Sequence, residues 1–137
     1  MISIEIPFEP VPWAAPRLSR HGCYDPREKD KRAIRYLIKE QYKGEPFPGY
    51  VSLWFEFWFT PPKSASKKKV NDMLQSRIIP TRCDCTNLQK LYEDCLKGIV
   101  FTDDRNVRQI TTIKEYSEKP LCRLKIHFHP ELHANNN

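Results

Sequence analysis

The residues of this chain that could do chemistry lie close together. Asp84, Thr86, Asn87, Lys90 and Asp94 fall in one short segment, and Asp103 and Asp104 follow soon after. Carboxylates are the ligands that hard divalent cations such as Mg²⁺ prefer. A lysine beside them can meet a phosphate oxygen or a negative charge that develops during a reaction. A phosphodiester resists hydrolysis because its own charge repels the nucleophile. A bound cation neutralises that charge, orients a water molecule and lowers its pKa. These residue types therefore suit metal-assisted phosphodiester hydrolysis, with Mg²⁺ as the expected cofactor and Mn²⁺ as its substitute.

The groups can act together only if the local elements bring them together. Leu88, Leu91, Tyr92, Cys95 and Leu96 repeat at helical spacing and predict a helix from Asn87 to Lys97, with Gly98 as its stop. Lys90, Asp94 and Lys97 then fall on the opposite, polar face. Asp84 sits just before the helix. Ile99-Val100-Phe101 reads as a short buried strand, with Asp103 and Asp104 at its end. A strand end returning to the helix start would let Asp84, Asp103 and Asp104 share one cation beside Lys90. A plainer reading exists for each part. Lys90 and Asp94 can form a surface ion pair worth a few tenths of a kcal/mol. Thr86-x-x-Gln89 is a capping box, which gives Thr86 and Asn87 the task of starting the helix. Asp103-Asp104-Arg105-Asn106 can be a polar turn.

The surrounding pattern alternates strands and helices. Ile2, Ile4 and Ile6 mark a strand with one buried face. Pro7 to Arg20 is a proline-bearing arm, poor in donors for a sheet. Asp25-Pro26-Arg27-Glu28 predicts a helix start, with Asp25 as N-cap and Glu28 completing a capping box. That helix should run to about Tyr42 and stop at Gly44. Val51, Leu53, Phe55, Phe57 and Phe59 alternate with Ser52, Trp54, Glu56, Trp58 and Thr60, the strongest strand signal in the chain. Trp54 and Trp58 at this spacing are expected to cover a neighbouring helix, with base stacking or a dimer interface as the functional alternatives. A short helix from about Ser64 to Ser76 follows, with Val70, Met73 and Leu74 inward. Val107–Tyr116 and Leu121–His129 read as two further strands, paired as a hairpin through Ser117 to Pro120. The stretch from Pro130 to Asn137 carries no apolar pattern and is expected to be a disordered tail. The expectation is one domain over residues 1–137, of α+β class, with two to three helices packed on a mixed β-sheet.

Bulk composition agrees with one modest core. The chain has 137 residues, of which 39% are hydrophobic and 29% charged. It lacks the long apolar run of a membrane span, and its start lacks the pattern of a signal peptide. A cytoplasmic protein is the expectation. Five cysteines, an odd count, argue for free thiols. A zinc site built from Cys83, Cys85, His21 and Cys23 is disfavoured by spacing, and Cys95 and Cys122 read as apolar-face residues. The formal net charge is +6, which attracts polyanions. Arg17, Arg20, Lys67, Lys68, Lys69, Arg77 and Arg82 are the candidate phosphate contacts, although Lys67 to Lys69 also suit a solvated helix face.

The run Asp84-x-Thr86-Asn87-Leu88-x-Lys90, then Glu93-Asp94-x-Leu96-x-Gly98, then Asp103-Asp104-x-x-Val107, resembles RusA-type Holliday junction resolvases. Those enzymes show D-x-D-N-x-x-K, D-A-L-x-G and D-D-x-x-[VI] in the same order. The arm from Pro12 to Arg20 and the Tyr24-Asp25-Pro26 helix start are also similar, though less specific. The resemblance implies a homodimeric, Mg²⁺-dependent endonuclease that cuts four-way DNA junctions by paired incisions. It implies Asp84, Asp103 and Asp104 as metal ligands and Lys90 as the catalytic lysine. Asn87 would orient the site, and Asp94 would support it from behind. One position departs. The second aspartate of the D-x-D-N motif is Thr86 here, a neutral and weaker ligand. Either Thr86 is tolerated as a cap or outer donor, or the protein mainly binds branched or single-stranded DNA and cleaves weakly.

Overall fold

In the computed structural model, which describes residues 1–132, alternating apolar residues build a four-stranded sheet. Its strands are β1 (Ile2–Ile6), β4 (Tyr50–Phe59), β5 (Val107–Tyr116) and β6 (Leu121–His129), in the order β1-β6-β4-β5. β6 is antiparallel to β1 and to β4, while β4 and β5 run parallel. Parallel neighbours need a crossover. Here the crossover holds α2 (Lys67–Leu74) and α3 (Cys85–Leu96). The class is the expected α+β, with α1 (Glu28–Gln41) as the remaining helix.

The core lies on one face of this sheet. Leu53, Phe55 and Phe57 from β4 meet Leu124 and Ile126 from β6 and Ile4 and Ile6 from β1. Ile34 and Ile38 of α1 and Leu88, Leu91, Tyr92, Cys95 and Leu96 of α3 close the layer, all buried. Tyr92 is fully buried, yet its hydroxyl accepts from Val11 N at 3.1 Å. Cys95 and Cys122 are buried as expected, and burial pushes both thiols up to about 12.

Several sequence expectations are corrected. β5 and β6 do not pair as a hairpin, because β4 lies between them. Ile99 to Phe101 is a turn, not a strand. Gly98 has φ 84°, its N–H reaches Phe101 O at 2.7 Å, and only isolated bridges join Phe101 to Phe47 and Lys97. Trp54 and Trp58 do not cover a helix. They share the face away from the core with Glu56, where Trp54 is 40% exposed and Arg123 sits over the Trp58 ring at 4.9 Å. Asp25 does not cap α1 directly. Its carboxylate accepts from Arg27 N at 2.8 Å in the turn before the helix, and Arg27 occupies the cap position. Gly44 is not the stop, since the chain leaves α1 through an extended Tyr42.

The arm after β1 contains a hairpin that its prolines concealed. β2 (Arg17–Ser19) pairs with β3 (Gly22–Tyr24) in a small sheet of its own. Gly22 has φ 112°, a conformation that favours glycine. Of the expected tail, Pro130 to Leu132 form a turn closed by Leu132 N to His129 O at 3.2 Å; residues 133–137 lie outside the described residues.

Candidate active site

α3 positions most of the candidate residues. Its N-cap is Asp84, whose carboxylate accepts from Asn87 N at 2.7 Å. Thr86 was read from the sequence as the cap, but it lies inside the first turn and is exposed. A negative side chain at this end also complements the helix dipole. Asn87 Nδ2 adds a longer contact to Asp84 at 3.4 Å. One turn on, Lys90 does not pair with Asp94. Its ammonium lies over the Trp13 ring, 3.6 Å from the centroid. Trp13 is held there because its N–H donates to Asn87 O at 2.9 Å. Contact between an ammonium and an aromatic face holds the lysine stem in place.

The other acidic residues gather at the far end of the helix. Lys97 Nζ stands 3.7 Å from Asp104. Glu93 is half-buried, and burial, then Asp104 and Asp94, raise its carboxyl above the usual range. Asp103 caps the single 3₁₀ turn Asp104–Asn106 and takes a forked contact from the Arg105 guanidinium, at 3.1 and 2.8 Å. Those hydrogen bonds hold its carboxyl well below the ordinary carboxylate range. Asp94 offers its backbone oxygen to Arg35 at 2.9 Å, which ties α1 to this end.

The direction of α3 explains the separation. Gln89 accepts from Thr112 Oγ1 at 2.9 Å, and Cys83 O accepts from Lys114 Nζ at 2.8 Å. α3 is therefore antiparallel to β5, and the start of β5 lies at the end of the helix. The segment with Asp103 and Asp104 returns to the C-terminal end of α3, not to its start. A helix of 12 residues is about 18 Å long. Among the described residues, no three His, Cys, Asp or Glu side chains are grouped to hold a metal ion. One copy of the chain thus forms no three-carboxylate cage from Asp84, Asp103 and Asp104. Magnesium commonly takes only one or two carboxylates and completes its shell with water and phosphate oxygens. Each end of α3 offers that much.

The expected DNA contacts are spread over three places. Arg17 and Arg20 lie on and beside the exposed β2–β3 hairpin. Lys67, Lys68 and Lys69 form the exposed first turn of α2, capped by Ser66, whose hydroxyl accepts from Lys69 N at 3.2 Å. Cations at that end oppose the helix dipole, an arrangement that a phosphate would relieve. Arg77 pairs with Asp72 at 3.3 Å. Arg82 lies 3.7 Å from Glu9 and over the Phe59 ring.

Sequence reasoning assigned no role to Trp13, Glu93, Lys97 or Arg105. Only the last three left a trace, as the i,i+4 pair Glu93–Lys97 and the charge flanking Asp104. Among the described residues, no helix is long and apolar enough to cross a membrane.

Asp84 at the start of α3, Lys90 midway along it and Asp103 and Asp104 beyond its end thus sit on an α+β domain with exposed basic elements. Comparison with known proteins gives the family. Residues 7–127 match the family model described as Endodeoxyribonuclease RusA. The chain is 32% identical over 127 residues to Uncharacterized protein YqaN of Bacillus subtilis (strain 168), covering 86% of this chain and 89% of that protein. The chain belongs to the RusA endodeoxyribonuclease family, whose members act on Holliday junctions.

Proposed function

We propose that this protein is a Mg²⁺-dependent, structure-selective endonuclease that resolves four-way DNA junctions as a homodimer in the cytoplasm. The observation that carries the reading is the family match over residues 7–127, joined to the family's acidic and lysine positions before, along and beyond α3. A site that draws on both ends needs two copies of the chain. Two α3 helices side by side in opposite directions set the Asp84 end of one copy beside the Asp104 end of the other. Two-fold symmetry then makes two equal sites, one for each strand to be cut.

In this reading Asp84, Asp103 and Asp104 hold the cation, and Mn²⁺ can replace Mg²⁺. When bound, the cation supplies charge neutralisation and an activated water. The protein's own groups do the rest. Asn87 fixes the Asp84 carboxylate. Lys90, steadied on Trp13, meets the phosphate oxygens as charge builds on them. Arg105 keeps Asp103 ionised, and Asp94 and Lys97 set the balance of charge around Asp104. Arg17, Arg20, Lys67, Lys68, Lys69, Arg77 and Arg82 draw in the DNA backbone.

A synthetic four-way junction tests the reading. The expected result is paired, symmetric nicks with Mg²⁺ that EDTA abolishes. An intact junction across a range of Mg²⁺ and Mn²⁺ would refute it. Exposed Thr86, standing where the family carries an aspartate, motivates a second reading: a branched- or single-stranded-DNA-binding protein with weak or no cleavage. Binding without nicks in the natural chain, with nicks appearing in Thr86→Asp, would establish that reading.

A further inference from the structure

The β2–β3 hairpin has no core of its own. All of its strand residues are exposed, and Leu18 is 86% exposed. Two strands alone are marginally stable in water, so this one needs a local reason to persist. The turn supplies part of it. The Ser19 hydroxyl accepts from His21 N and donates to Gly22 O, both at 3.2 Å. The stem supplies the rest. Arg27 Nε donates to Pro12 O at 2.9 Å, and Lys31 and Asp25 pair at 2.9 Å. A ribbon kept in shape yet packed against little is built to meet something else.

Its surfaces are sorted. Arg17 stands opposite Tyr24 on one face, and Leu18 opposite Cys23 on the other. Arg20 and His21 form the tip. A cation beside an exposed aromatic, an exposed aliphatic side chain and a basic tip match the parts of an opened nucleic acid: phosphates, base faces and the edge of a stack. Strands are about 5 Å apart in a sheet, so a ribbon of two fits a space about 12 Å wide, as a major groove is.

The stem fixes where the ribbon stands. Trp13, just before β2, is bonded to Asn87 O and carries Lys90 on its ring. The hairpin therefore rises beside the N-terminal half of α3, which follows Asp84 and bears Lys90.

We infer that the β2–β3 hairpin enters the branch point of the DNA junction, with Leu18 and Tyr24 against the unstacked bases and Arg17 and Arg20 on the flanking phosphates. The inference rests on the nuclease reading above and deepens it. It makes the hairpin the part that distinguishes a branched DNA from a plain duplex.

The experiment places 2-aminopurine at the branch point of a synthetic four-way junction and follows its fluorescence with full-length protein. Wild type is expected to raise the signal by unstacking the base. Leu18→Ala and the Leu18→Ala/Tyr24→Ala pair are expected to bind but lose that rise, with junction cleavage down about tenfold or more. Arg17→Ala/Arg20→Ala is expected to weaken binding and reduce the slope of log affinity against log salt by about 2. Circular dichroism checks that the fold is kept, which these exposed positions allow. A full fluorescence rise and unchanged preference for junction over duplex in Leu18→Ala/Tyr24→Ala would overturn the inference while leaving the nuclease reading intact. No junction binding by wild type would overturn both.

Discussion

The two ends of α3 carry the same kind of side chain under opposite conditions. At the N-terminal end, Asp84 meets the positive end of the helix dipole and the N–H of Asn87, so its charge is matched where it stands. At the C-terminal end, Glu93, Asp94, Asp103 and Asp104 gather where the helix itself is negative. Lys97 and Arg105 offset part of that charge. The rest shows in Glu93, whose carboxyl is pushed up by burial and by its acidic neighbours. The charge of the first end is met by its own helix. The second keeps an excess of negative charge that its crowded carboxylates share. The contrast separates a carboxylate matched by its own helix from carboxylates crowded against one another.

The largest effect should come from splitting the two ends between copies. Asp84→Asn and Asp104→Asn are each expected to lower junction nicking at least about a hundredfold. Mixing the two variants after unfolding and refolding should restore cleavage of one strand, because one site in each mixed dimer keeps both carboxylates. Inactivity of the mixture, despite mixed dimers seen by native mass spectrometry, would show that the ends of α3 work within one copy. A smaller effect should follow from freeing Lys90. Trp13→Ala is expected to lower single-turnover nicking about fivefold with little change in junction affinity, and Trp13→Phe to recover most of it. Equal losses in both variants would make Trp13 a packing residue only.

The smallest effect concerns Glu93. A carboxyl with a raised pKa contributes stability that is fully present below the ordinary carboxylate range and lost as pH rises through its own value. At pH 7 that contribution is gone. Glu93→Gln should therefore melt about 2 °C higher than the natural chain at pH 7, with the gap closing near pH 4. A gap that does not change with pH would mean that the acidic end carries no excess charge.

Strand identity was legible because period-2 alternation is local. Val51 to Phe59 and Leu121 to His129 each declare a buried face without reference to the rest of the chain. Strand partners were not legible. Leu121 follows Tyr116 closely enough to suggest a hairpin, but β4 is apolar along one whole face and takes the place between them. The helix of the site was readable from Leu88 to Leu96. Its cap was not, since both Asp84 and Thr86 can accept an N–H two or three residues on. The separation of Asp84 from Asp104 was hidden for a similar reason. Gly98 turns the chain beside the end of α3, and an apolar Ile-Val-Phe run looks the same in a strand and in a buried turn. The ring of Trp13 under Lys90 depends on a backbone bond to Asn87 that no spacing announces.

Ile2 of β1 lies opposite Ile126 of β6, so the earliest of these four strands to leave the ribosome finds its partner only in the latest of them. β6 is an inner strand with neighbours on both sides. A chain that emerges from the ribosome N-terminus first cannot finish this sheet until β6 is out. A chain that stops before Leu121 leaves β1 unpaired and β4 with β5 as its one neighbour, so the loss of that single strand takes the middle out of the sheet.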